Sequence, residues 1–155
     1  MKNIGFIGVG TMGFPMALNL IKNGHSLSFY DPFANNKTID ALIEAGAKQE
    51  KTIADLCKSK DFLISMLPIG ENVKEVALGE GGIINQDNTD LIYIDMSTIL
   101  PGDSIDVSKQ LQTKNIQMFD APVARLVNNA IDGTLLIMVG GSLQDFPKIE
   151  EILKC

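Results

Sequence analysis

Apolar and polar positions follow two different periods along this chain, and the switches between them predict most of its elements. Asn3-Ile-Gly-Phe-Ile-Gly8 is a short apolar run of the kind that forms buried strands. Residues Met12, Met16, Leu20 and Asn23 then fall at helical spacing, with Gly24 as a stop. Ser26–Asp31 alternates like a strand, and Pro32 ends it. A helix through Ile39, Leu42 and Ile43 to Gly46 follows, with Asn36 or Thr38 placed to cap it. Thr52-Ile-Ala-Asp55 has the capping-box pattern of a short helix reaching Lys58. A strand over Asp61–Leu67 closes at Pro68, and a helix carrying Val73, Val76 and Ala77 runs to the Gly81-Gly82 turn. Leu91–Asp95 predicts a strand, Pro101 opens a helix through Ile105, Val107 and Leu111, and Asn115–Asp120 is again strand-like. Thr134–Val139 reads as a strand and Ser142–Cys155 as an amphipathic helix.

Strands alternating with helices of this size predict βαβ units. The expected fold is therefore α/β, a doubly wound Rossmann-type parallel sheet in a single domain over residues 1–155. No repeat, low-complexity tract or linker interrupts it.

Composition narrows the partners. Hydrophobic residues make up 45% and charged residues 21%, enough apolar side chain for a core and too much for disorder. Thirteen basic against nineteen acidic residues give a net charge of −6, which disfavours a phosphate backbone as partner. Nucleic acid is not expected. Lys2 to Lys22 contains no charged residue between its ends, but Gly5, Gly8, Gly10, Gly13 and Pro15 interrupt it, so neither a signal peptide nor a membrane span is expected. Cys57 and Cys155 lie far apart without metal or disulfide spacing, which fits a cytoplasmic protein with no metal site. Cys57 reads as a small buried hydrophobe, and His25, the only histidine, as a turn or strand-edge residue without a catalytic role.

Gly8-Val9-Gly10-Thr11-Met12-Gly13 is a GxGxxG turn placed after the first strand and opening the first helix. The first glycine permits the tight turn, the second lets backbone approach a pyrophosphate, and the third allows helix and sheet to pack closely. Asp31 falls at the end of the second strand, where a carboxylate accepts from ribose hydroxyls and repels a 2′-phosphate. NAD is the expected cofactor. The same pattern leaves open a Rossmann-like sheet without a nucleotide and a methyltransferase binding a nucleoside cofactor.

Phe6 to Leu20 closely resembles the N-terminal signature of the β-hydroxyacid dehydrogenase family, which includes 3-hydroxyisobutyrate dehydrogenase, tartronate semialdehyde reductase and sulfolactaldehyde reductase. The resemblance continues through Met66-Leu-Pro68, Asp95-Met-Ser-Thr-Ile-Leu-Pro101, Asp120-Ala-Pro-Val123, Gly133-Thr-Leu135 and Val139-Gly-Gly141. It implies that Leu67 and Pro68 lie along the cofactor, that Asn72 contacts it, and that Thr98 stands near the nicotinamide ribose. It also implies a hydride transfer between nicotinamide and a small β-hydroxyacid or semialdehyde, assisted by a lysine.

Two departures stand out. The family usually has Ser-Gly-Gly after Asp-x-Pro-Val to hold the substrate's acid group, and this chain has Ala124-Arg125-Leu126. An arginine there resembles the sulfolactaldehyde reductase branch, and Arg125 is the only arginine present. Its planar fork suits a carboxylate or sulfonate, so the expected substrate is a small anion. The catalytic lysine's glycine-rich segment and the all-helical domain that builds the family's homo-oligomer are expected beyond Cys155. Lys148 and Lys154 lie in the wrong context to replace that lysine. By itself the chain is expected to bind cofactor without catalysis; the alternative is a non-catalytic dinucleotide-binding sensor or scaffold.

Overall fold

Six short strands form one parallel sheet, and helices cover both of its faces. The structure, a computed structural model, describes residues 1–87 and 90–155. The sheet contains β1 (Asn3–Ile7), β2 (Ser26–Tyr30), β3 (Lys48–Gln49), β4 (Phe62–Ser65), β5 (Ile92–Asp95) and β6 (Gln117–Asp120) in the order β3-β2-β1-β4-β5-β6. Every neighbouring pair is parallel. The helices are α1 (Gly13–Lys22), α2 (Asn36–Glu44), α3 (Ile53–Cys57), α4 (Gly70–Leu78), α5 (Pro101–Gln112), α6 (Val127–Ile131) and α7 (Pro147–Leu153). This is the doubly wound Rossmann order, and its ligands bind beyond the carboxyl ends of the strands.

Side-chain alternation explains the two layers. Ile4 and Phe6 of β1 join Phe29, Ile64, Ile94 and Phe119 in a core with Met16, Ala17 and Leu20 of α1. On the other face Ile7, Leu63, Tyr93 and Met118 pack against Leu56, Val107 and Leu111. Strands buried on both faces need apolar side chains at successive positions, which is why β1 and β4 read as unbroken runs. Each fully buried Leu, Ile or Phe side chain contributes about 1.5–3 kcal/mol.

Several boundaries differ from expectation. Asn35 caps α2, its side chain accepting from the Thr38 N–H at 3.0 Å, so neither Asn36 nor Thr38 is the cap. Helix α4 ends at Gly79, before the Gly81-Gly82 turn, and a 3-10 turn over Ile83–Asn85 follows. Thr134–Val139 does not join the large sheet. Only β8 (Leu136–Ile137) is strand, and it pairs antiparallel with β7 (Val123–Ala124) in a small ribbon. Leu136 and Met138 are exposed, so one face of this segment has no layer to cover it, whereas a parallel strand needs both faces covered. Regular helix in the last stretch starts only at Pro147, because proline lacks the N–H that would continue a helix from Ser142.

Candidate functional site

The glycine turn joins β1 to α1. Gly8 has φ +86°, and a Cβ there would strike the Met66 carbonyl and lie 3.0 Å from Leu67. Both the backbone and the space require glycine. A Cβ on Gly13 would strike the Gly8 carbonyl and lie 3.1 Å from the Phe6 ring, so this glycine lets α1 close on the end of β1. Gly10 differs: a Cβ there would meet nothing within 4 Å. Its exposed backbone faces open space that a pyrophosphate can enter. No side chain caps α1 and its first turn carries no acidic residue, so the amide end of the helix is available to an anion. Val9 is buried behind the turn, Thr11 is exposed on it and Met12 is half-buried.

Asp31 holds this turn from the neighbouring strand. Its Oδ2 accepts from the Val9 N–H at 2.9 Å and its Oδ1 from the Phe33 N–H at 2.9 Å. A carboxylate offers about four acceptor positions. Asp31 can therefore clamp the turn and still accept from sugar hydroxyls. The residue remains partly exposed, and Phe33 beside it is 93% exposed.

Four of the other expected site residues follow β4 and β5 at the same edge, and three lie outside the large sheet. Leu67 and Pro68 follow β4, with Leu67 against Gly8; Asn72 is exposed in the first turn of α4; Thr98 is exposed after β5. Ala124 lies in β7, Arg125 follows it, and Leu126 precedes α6, whose Ala130 carbonyl accepts from Asn19 of α1 at 2.8 Å. With strands about 4.8 Å apart, β6 stands roughly 14 Å from β1 and roughly 19 Å from β2. The end of β6 is thus far from the glycine turn and farther still from Asp31. Arg125 has φ +89°, a left-handed conformation that favours glycine and is strained for a long side chain. Its Nη1 donates to the Thr134 carbonyl at 2.9 Å, which holds the exposed guanidinium against the turn beside β8.

One cluster was not legible in the sequence. Asp95 ends a strand at the ligand edge, and the sequence marks no acid–base partner for it. In the fold it is fully buried beside Ser65, Tyr93 and Ser97. Burial holds its carboxyl above the usual range, while hydrogen bonds from Ser97 and Ser65 pull it down. Asp120, its register partner on β6, is raised as well by burial. The only available signal was polar residues at the ends of adjacent apolar strands.

His25 precedes β2, at the opposite edge from these residues. It is buried, with Nδ1 accepting from the Lys2 N–H at 3.3 Å and Nε2 lying 3.3 Å from Cys155 Sγ. Cys57 is buried, and desolvation pushes its thiol up to about 12. Among the described residues no three metal-ligating side chains cluster, and no helix is long and apolar enough to cross a membrane.

A family model described as the NAD binding domain of 6-phosphogluconate dehydrogenase matches residues 3–155. The chain belongs to this family. Its similarity to a 3-sulfolactaldehyde reductase of Escherichia coli is 40% identity over 153 residues, covering 99% of the chain and 51% of the relative. A 3-hydroxyisobutyrate dehydrogenase of Pseudomonas aeruginosa is 35% identical over 154 residues, covering 99% and 51%. The solved 3-hydroxyisobutyrate dehydrogenase of Mycobacterium tuberculosis, with L-serine, superposes with a TM-score of 0.90 at 28% identity, covering 99% and 51%. The chain spans about half the length of the curated relatives it matches. The residues present fit a dinucleotide: the turn has an open backbone at Gly10, an uncapped helix end and an acidic residue directly after β2.

Proposed function

We propose that this NAD-binding domain serves an oxidoreductase that moves a hydride between nicotinamide and a small β-hydroxyacid or its semialdehyde, carboxylated or sulfonated. The redox chemistry belongs to the nicotinamide when bound, and the chain's residues bind and orient it. The names of the relatives, dehydrogenases and a reductase, support an enzyme over a sensor or scaffold. For the substrate the supporting observation is Arg125. A strained backbone is kept where it supports a function, and this one carries the chain's only guanidinium, exposed and held on the Thr134 carbonyl. Gly8, Val9, Gly10, Thr11, Met12 and Gly13 would hold the pyrophosphate and Asp31 the adenosine ribose. Leu67, Pro68, Asn72 and Thr98 would line the nicotinamide half, and Ala124, Arg125 and Leu126 the substrate's acid group. The proton at the substrate oxygen is assigned to a lysine outside these residues, in a cytoplasmic homo-oligomer.

The cofactor is read as NAD over NADP. Asp31 would repel a 2′-phosphate, and the chain's only arginine follows β7, with its guanidinium donating to the Thr134 carbonyl. Calorimetric titration of the chain with both cofactors should show tighter binding of NAD. Hydrogen bonds to a charged group are worth about 1.5–3 kcal/mol, so Asp31→Ala should weaken NAD at least tenfold. Tighter binding of NADP by the parent chain would overturn the assignment.

A further inference from the structure

A chain of hydrogen bonds runs through the interior between the carboxyl ends of β4 and β5, and each hydroxyl in it has one possible direction. Ser65 Oγ gives its hydrogen to Asp95 Oδ1 at 2.7 Å, so it accepts from Tyr93 Oη, also at 2.7 Å. Ser97 Oγ gives its hydrogen to the same Asp95 oxygen at 2.6 Å, and accepts from the Leu67 N–H at 2.9 Å. The Ser97 N–H reaches Asp95 Oδ1 at 3.2 Å. One oxygen thus collects three donors, while the buried Oδ2 has no hydrogen-bond partner.

Such an arrangement is a poor way to stabilise a core. Burying an ionisable group is costly, and apolar replacements of similar volume are often neutral or stabilising. What the network holds is more telling. Its bonds tie Met66–Pro68 to Met96–Thr98, the two segments that carry Leu67, Pro68 and Thr98. Asp95 is itself 0% exposed, so it cannot touch a ligand and must act through its neighbours.

We propose that Asp95 is a positioning residue for the dinucleotide: through Ser97 it fixes the Leu67 amide, and through Ser65 and Ser97 together it sets the spacing of the loops after β4 and β5. The proposal rests on the reading of Leu67, Pro68 and Thr98 as cofactor contacts. An acceptor at the Oδ1 position is what the role requires.

The test is a fluorescence titration of the chain with NADH, in the parent, Ser97→Ala, Asp95→Ala, Asp95→Asn and the Asp95→Ala/Ser97→Ala double variant. Thermal midpoints and the exchange rate of the Leu67 amide are measured alongside. Ser97→Ala removes a single oxygen, so it keeps the test open if Asp95→Ala fails to fold. Losing one positioning hydrogen bond should raise the NADH Kd about three- to tenfold and speed exchange at Leu67. The double variant should bind no worse than the weaker single one. Asp95→Asn, which keeps the acceptor, should restore the affinity. The proposal is overturned if Ser97→Ala lowers the thermal midpoint yet binds NADH within twofold of the parent. It is also overturned if Asp95→Asn and Asp95→Ala bind equally badly, since the acceptor would then be irrelevant. Failure of the parent chain to bind NADH is a different result: it removes the cofactor reading beneath the proposal, and the proposal with it.

Discussion

Two aspartates at strand ends show how far a residue's surroundings decide its work. Asp31 remains partly exposed and divides its oxygens between two backbone amides, so it shapes the glycine turn before any ligand arrives. Asp31→Ala should therefore lower stability in the absence of cofactor as well, by about 1–3 kcal/mol for amides left without their acceptor, measured by urea unfolding. Asp95 is enclosed, and burial raises its carboxyl above the ordinary value of 3.8. The folded chain then binds that proton more tightly than the unfolded chain. Its contribution to stability is complete below pH 3.8 and is lost as pH rises through the raised value. Asp95→Asn removes this titration. Between pH 3.8 and neutrality, the stability of the variant relative to the parent should accordingly rise with pH. A flat difference across a urea series at several pH values would refute it. Asp120 is raised too, so some slope of the same sign should persist in the variant.

At the scale of elements, the three glycines of the turn separate into two that the packing encloses and one that faces open space. Gly13 is enclosed by the Gly8 carbonyl and the Phe6 ring, so Gly13→Ala should cost about 1–3 kcal/mol of stability through overpacking. Gly10 has open space where a side chain would go, so Gly10→Ala should leave the urea midpoint nearly unchanged while weakening NAD about tenfold. A stability loss at Gly10 equal to that at Gly13 would contradict this division. The GxGxxG spacing was legible in the sequence, but the division was not, because it depends on what faces each Cα. Helix α2 offers a similar case. Its existence followed from the spacing of Ile39, Leu42 and Ile43, whereas its cap fell on Asn35, ahead of both Asn36 and Thr38, because the extended backbone of Asn35 lets its side chain reach forward to the Thr38 N–H. Thr52 at the start of α3 was legible because its bond to the Asp55 N–H is local, at 3.0 Å.

Across the whole molecule, the strand order lays Asp31, the glycine turn, Leu67 with Pro68, and Thr98 in one row, while the chain after Arg125 folds back as α6 onto α1, where Asn19 donates to the Ala130 carbonyl at 2.8 Å. The proposed function gives Arg125 the substrate's acid group. In the protein that carries this domain, Arg125→Lys should lower kcat/KM for an anionic semialdehyde nearly as much as Arg125→Ala, because lysine keeps the charge and loses the planar fork. Unchanged kcat/KM in both variants would make Arg125 a surface residue. The 155-residue chain assayed alone should bind NAD and turn over no β-hydroxyacid, since acid–base assistance typically contributes about 10²–10⁴-fold. Family-like turnover by the chain alone would show that its own residues carry the proton transfer.

The amino-acid sequence by itself determined the alternation of strands and helices, the parallel sheet and the turn beside Asp31, because each is written in short-range periods and fixed offsets. The edge strand β3 and the ribbon of β7 and β8 were not so determined. Two-residue strands carry too little pattern, and the apolar run from Leu135 to Val139 reads the same whether it joins a sheet or folds back on Val123–Ala124. Only the tertiary structure brought Ser65, Tyr93, Asp95 and Ser97 together. Tyr93, Asp95 and Ser97 are near neighbours in the chain, but Ser65 lies 30 residues from Asp95 across the β4–β5 pairing, and its hydrogen bond of 2.7 Å to Asp95 exists only once the register of those strands is set.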